Sequence, residues 1–355
     1  AQYTKGQGVD VLFDSIGPAL FDTSLKILRK KGMFIHYGAN SGAISVSSSY
    51  FNGSGVTGRL YVGGMVGNSG NTTLSVTNSY VDTPAVTGSG ERVGGIVGSA
   101  GYVVSITDSY VRSGRVAGTS TVGGLIGWGE GTASMTRTHV DLTQSGTTGL
   151  VGDSTVGGLI GTMRSGGRVV DSYFSGLITV NQSQTYGGLI AYMHPNTFVS
   201  NSYYNIDSSL INGSPTVTTG GLFNGQFTDW VNSNSSTVAS RSLVIGNYFS
   251  APDSDGYYLI NTYIDLSSTT GGNPSGQSDL SNLLGFVQST SSGAANTYKF
   301  KLGQDLNMST SSIPYLPYLS SAEFKGNTFA VNNFSWNRST ANVGFIGAAR
   351  GTYIN

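Results

Sequence analysis

"VGGLIGWGEG", residues 122–131, is the stretch on which the fold turns. Read alone, a Gly-Gly pair followed by two apolar residues and another glycine suits a phosphate-cradling loop, a packing face inside a membrane, or a structural corner. Recurrence separates these readings. Residues 62–67 read VGGMVG, 93–98 VGGIVG, 122–127 and 156–161 both VGGLIG, 186–191 YGGLIA, and 219–223 give a weaker TGGLF. The first glycines fall at 63, 94, 123, 157, 187 and 220, a spacing of 29 to 34 residues.

A second landmark runs in phase with the first: Ser49-Tyr50, Asn78-Ser79-Tyr80, Asp108-Ser109-Tyr110, Arg137-Thr138-His139, Asp171-Ser172-Tyr173 and Asn201-Ser202-Tyr203. From each Gly-Gly to the next aromatic position is 16 or 17 residues, whereas the return arm runs from 13 to 18. A constant arm and an elastic one describe a fixed structural half and a loop that accepts insertion, as at residues 143–154. Between landmarks, β-branched and partly alternating runs such as Leu74 to Thr77 and Val103 to Thr107 read as strands, and helix signals are absent from about 43 to 220.

These periods predict a mainly β fold: a right-handed parallel β-helix of about six coils of roughly 30 residues, each coil hydrogen-bonding to the next. Stacking then places Tyr50, Tyr80, Tyr110, Tyr173 and Tyr203 in one column, with His139 filling the place between Tyr110 and Tyr173. Asn78, Asp108, Asp171 and Asn201 form a polar column whose side chains are expected to bond to turn N–H groups. The paired glycines are expected to supply either positive φ or close backbone approach at a corner. No threonine column is expected to keep register across coils, which counts against ice binding. The two phased landmarks resemble the GLUG-motif repeats of secreted bacterial surface proteins and adhesins over residues 43–225, and that resemblance implies a β-helix on a cell surface.

Residues 1–42 are written differently, with eight charged residues in a chain that is 10% charged overall. The order strand (Val9 to Phe13), helix (Pro18 to Lys31, stopped by Gly32) and strand (Met33 to Tyr37) forms a small βαβ element, suited to capping a solenoid end. This segment resembles the late cofactor-domain stretch of quinone oxidoreductases in the medium-chain dehydrogenase superfamily. The resemblance implies nucleotide contacts near Ser15, Gly17, Gly38 and Asn40 in a complete enzyme. A GxGxxG with its acidic partner and a second half-sheet are missing from the sequence, so no cofactor is expected. Residues 226–297 are expected to be a β-rich connecting region with a short helix at Asp279 to Val287, and residues 298–355 the start of a second GLUG-like array, because Val343-Gly344-Phe345-Ile346-Gly347 restates the motif.

Composition bounds function. Eighteen basic and 18 acidic residues cancel, which argues against a nucleic-acid surface, and no stretch is apolar over the roughly 18 residues a membrane helix needs. Cysteine is absent, so disulfides and thiolate metal sites are excluded. His36, His139 and His194 lie in unrelated contexts, and Asp253-Ser254-Asp255-Gly256 opens like a calcium loop but lacks the remaining ligands, so it reads as a turn. No residue is assigned a catalytic, cofactor-binding or metal-binding role. The expected function is non-enzymatic: a rigid stalk or filament segment of a bacterial cell-surface or extracellular protein, self-associating through terminal strands or meeting a cell-surface or polysaccharide target. The alternative is a polysaccharide-binding or polysaccharide-cleaving β-helix, marked by three or more carboxylates on one face.

Overall fold

The computed structural model describes residues 9–14, 28–36, 43–143, 149–182, 185–233, 241–266, 276–287, 298–320, 322–337, 343–350 and 353–354. The chain divides into two compact units, residues 1–197 with 209–214 and residues 198–208 with 215–355.

The first unit is a parallel β-solenoid of about five turns. Each turn contributes one short strand to each of several stacked sheets. The Gly-Gly motif ends one strand of the turn, giving Tyr61–Gly63, Arg92–Gly94, Thr121–Gly123, Thr155–Gly157 and Thr185–Gly187, paired in register from Gly63 through Gly94, Gly123 and Gly157 to Gly187. The second residue of the apolar pair that follows opens the next strand, and the chain then leads into Thr73–Thr77, Val104–Thr107, Ala133–Thr136 and Gly167–Val170, a sheet that Ala43–Ser47 from the preceding turn completes. In this sheet alternate residues point inward, so Leu74, Val76, Val104, Ile106, Ala133, Met135 and Val169 are fully buried. Ile96, Leu125, Leu159 and Leu189, the residues after each glycine pair, are fully buried as well. Each such Leu, Ile or Val contributes about 1.5–3 kcal/mol of burial.

The glycines act by contact rather than by unusual dihedrals. Neither Gly123 nor Gly124 has a positive φ. A Cβ on Gly123 would lie 1.9 Å from the carbonyl oxygen of Ile126, and one on Gly124 would lie 2.1 Å from that of Gly158 and 2.9 Å from both methyl groups of Val140. The same second-glycine position meets Val81 at Gly64, Val111 at Gly95 and Phe174 at Gly158, so the missing side chain leaves the space that the opposite strand's apolar residue fills.

Two expectations are corrected in this unit. Leu28 to Lys31, assigned to the end of a helix, belong to the strand Leu28–His36, which pairs in parallel with Val9–Asp14 through a register break between Val9 and Val11. The ladder pairs Leu28 with Val9 and Met33 to His36 with Val11 to Asp14, so the basic run Arg29-Lys30-Lys31 falls at the register break. The rest of the expected helix, residues 18–27, lies outside the described residues. Threonines do keep register: Thr77, Thr107 and Thr136 pair across three successive strands, beside Ser75, Ser105 and Ser134, because they sit on the constant arm of the repeat. The row begins opposite Ser47 and ends opposite Val170.

The second unit contains the sixth Gly-Gly, which does not extend the sheet of glycine strands. Gly221–Leu222 pairs instead with Tyr204 and Asn205. The buried Tyr204 hydroxyl donates to the Thr216 carbonyl at 2.7 Å and accepts the Thr218 N–H at 2.8 Å, folding the segment back on itself. The chain then enters the helix Asn224–Asn232, whose buried Trp230 meets Tyr203 edge-on at 5.1 Å and donates from Nε1 to Asn201 Oδ1 at 2.7 Å. Helical turns Asp279–Asn282 and Leu284–Val287 fall where the sequence places a short helix, with Ser278 as cap. Tyr258–Ile260, Tyr298–Leu302, Ala322–Lys325 and Tyr353–Ile354 form a four-stranded parallel sheet, and Leu319–Ser320 pairs with Ala349–Arg350. This second parallel stack begins at Tyr258, within the stretch expected only to connect two arrays.

Substituting Gly124 by Ala is expected to lower solenoid stability by about 3 kcal/mol through overpacking. Gly246→Ala, where nothing lies within 4 Å of the added Cβ, is the neutral comparison. Thermal unfolding followed by circular dichroism checks the difference, and equal melting temperatures would overturn the close-approach account.

Candidate functional site

The most regular surface of the solenoid grows from the Asn/Asp-Ser-Tyr landmark. Ser48, Asn78, Asp108, Arg137 and Asp171 all adopt left-handed backbone, with φ between 48° and 52°. Asn and Asp tolerate this conformation better than other non-glycine residues, which accounts for their recurrence. The next residue turns inward and its hydroxyl closes the corner. Ser79 Oγ donates to the Thr77 carbonyl at 2.8 Å and accepts the Ser49 N–H at 3.1 Å, and Ser109 Oγ does the same with Thr107 at 2.8 Å and Ser79 N–H at 3.0 Å. Ser172 Oγ accepts the Thr138 N–H at 3.1 Å. The buried serines thus do the work expected of the Asn/Asp side chains, tying each turn to the next and satisfying the corner backbone.

Beyond the corner lies the aromatic column. Tyr50, Tyr80, Tyr110, His139 and Tyr173 stack with centroids 4.8 to 5.0 Å apart and planes within 8°. His139 occupies the column position assigned to it, 4.8 Å from Tyr110 and 4.9 Å from Tyr173. Burial, then the neighbouring Tyr80, pushes the Tyr110 phenol above its ordinary value. Each ring covers the face of the next, so the interior rings present edges outward, whereas a sugar stacks on a ring face.

Two ion-pair ladders flank this column. Arg112 lies in register between Asp82 and Asp141 and donates to Asp82 Oδ2 from Nη2 at 2.6 Å. Arg137 binds Asp108 through two bonds of 2.6 and 2.7 Å, holding the Asp108 carboxyl below the usual carboxylate range and raising its own pKa. Asp171 adds a further Coulombic pull on Arg137. Acid and base therefore alternate along the stack, which prevents like charges from sitting directly opposite on paired strands. Asp82 and Asp108 are engaged with arginines on adjacent turns and Asp141 Oδ1 accepts the Thr143 N–H and hydroxyl, an arrangement unlike the poised pair that glycoside hydrolysis uses.

On another sheet, Arg92 and Arg164 approach the Trp128 ring at 4.2 and 5.3 Å, and Trp128 Nε1 donates to Glu130 at 2.8 Å. The sequence carries no short-range sign of this cluster, because its members come from three turns. In the second unit, Lys299, Lys301 and Lys325 surround the Tyr257 ring at 4.3 to 5.5 Å, and the Tyr257 hydroxyl donates to Glu323. Asp253 is committed as well: Oδ1 accepts the Asp255 and Tyr257 N–H groups at 3.0 Å each and Oδ2 pairs with Lys301, consistent with a turn. His194 accepts the Asn196 N–H at 3.0 Å in another turn. The side chain of His36, and Ser15, Gly17, Gly38 and Asn40, lie outside the described residues. Among the described residues no group of three His, Asp or Glu side chains is placed to hold a metal ion.

No protein-family model matches this chain, and no solved structure matches it.

Removing the Arg137 guanidinium (Arg137→Gln) is expected to cost less than about 1 kcal/mol at neutral pH, the size of an exposed ion pair. Because the folded Asp108 pKa is lowered, the pair's contribution is present above the unfolded value near about 3.9 and is lost as pH falls through the folded value. Urea titrations of both proteins should therefore converge as the pH falls below the unfolded value and through the lowered folded one, and a difference that grows on acidification would refute the assignment.

Proposed function

We propose that the chain is a non-catalytic structural and adhesive segment, a β-solenoid that holds and presents surface on a bacterial cell-surface or extracellular protein. The observation that carries this reading is the use of side chains on the most regular face. Tyr110 and His139 stack on one another, Asp82 and Asp108 pair with arginines of the next turn, and the corner serines bond turn to turn. Groups that a catalyst would hold ready for substrate are here spent on cohesion between turns. The resemblance to GLUG repeats supports the surface setting, and the parallel stack of the second unit supports a chain built by repetition. Self-association belongs to the same proposal, through edge-to-edge addition of strands between copies.

Two measurements test it. Incubation of the purified chain with neutral and acidic polysaccharides should release no new reducing ends, and turnover would replace this reading with the enzymatic one. Sedimentation velocity over a wide concentration range should show concentration-dependent growth, and a strictly monomeric profile would remove the self-association component.

A further inference from the structure

A recess of about 690 Å³ lies within the second unit. Loops around residues 246–250, 262–266 and 276–279 line it, and its size is that of a small-molecule site, about 300–1,000 Å³. Its floor is rigid. Tyr248 and Phe249 are buried and pack against Phe286 at 5.7 and 6.0 Å. The Tyr248 hydroxyl donates to Asp229, and burial followed by that bond pushes its phenol far up, so it stays neutral.

Charge selects the class of ligand. Among the described residues no lysine or arginine lines the recess, so the described lining offers no cation to a phosphate or a uronate. The carboxylate among the described lining residues, Asp279, is satisfied internally: Oδ2 accepts the N–H groups of Asn261 at 2.8 Å and Thr262 at 3.0 Å. What remains free is neutral. No ring or cation packs on Tyr263 among the described residues, and the side-chain amide of Asn247 and the hydroxyl of Ser250 have no protein partner there. Beside them Ile264 and Leu266 are 46% and 55% exposed. An aromatic face, an amide, a hydroxyl and an apolar rim match a pyranose, which carries apolar C–H faces and a periphery of hydroxyls.

We infer that this recess is a binding site for a neutral saccharide of one or two pyranose units, with Tyr263 as the stacking platform and Asn247 as a hydrogen-bonding group. The inference rests on the adhesive reading of the chain and supplies the target class which that reading leaves open. The test uses the full chain on an array of neutral and uronate-bearing oligosaccharides. Neutral oligosaccharides should be retained, with affinity falling more than tenfold in Tyr263→Ala and in Asn247→Ala at unchanged melting temperature. Tyr263→Phe should keep most of the binding, and Tyr102→Ala, an exposed ring on the solenoid, should change nothing. Absence of retained neutral glycans, retention of uronate-bearing ones alone, or binding indifferent to both recess variants would overturn the inference. The eluted glycan separates the two claims: recovered intact it supports both, whereas recovered cleaved, with cleavage lost in Tyr263→Ala, it keeps the recess and overturns the non-catalytic reading.

Discussion

Parallel, in-register hydrogen bonding between successive turns is the constraint from which the rest of the solenoid follows. It sets a rise close to 4.8 Å and places each residue above its counterpart. Such a repeat is unforgiving in three ways. A corner where backbones meet at carbonyl contact distance excludes even a methyl group, so glycine recurs. A buried corner must satisfy its own N–H and C=O groups, so a small hydroxyl side chain recurs. Ionised groups a few ångströms apart must alternate in sign, so Asp82 is followed by Arg112 and Asp108 by Arg137.

These requirements have different energetic weight. The apolar columns supply most of the stability, since each fully buried Val, Leu or Ile contributes about 1.5–3 kcal/mol. The exposed ion pairs contribute less than about 1 kcal/mol each. Their role is to make the stack tolerable rather than to drive it. The aromatic column lies between these extremes: its rings are partly exposed, yet four successive contacts between 4.8 and 5.0 Å remove apolar ring face from water without requiring a buried polar partner.

Much of this was legible in the sequence because one arm of the repeat hardly varies in length. Fixed spacing from glycine pair to aromatic position turns sequence phase directly into register, as the pairing of Gly94 with Gly123 and of Tyr80 with Tyr110 shows. Legibility failed where the same letters met a different environment. Gly220-Gly221 repeats the motif, yet the Tyr204 hydroxyl captures the segment and the chain turns into a helix. The threonine row was missed because its members change identity at both ends, to Ser47 and Val170. Residues 298–355 were expected to start a second array, and the strand outside those bounds, Tyr258–Ile260, was hidden by its irregular offset: Tyr258 pairs with Phe300, against Tyr298 with Ala322 and Glu323 with Tyr353. The second unit's recess is assembled from separate loops between residues 246 and 279 with Gln304, and no local pattern marks it.

The alternating charges bear on how such an array can lengthen. Tandem copying of a single turn is the simplest route by which a repetitive gene extends. A second copy of the turn carrying Arg112 and Asp108 would, however, set guanidinium upon guanidinium and carboxylate upon carboxylate. Growth within this stretch therefore has to proceed by copying turns in pairs, or by neutralising one of them first, and the polar ladder acts as a grammar restricting which turns can be neighbours.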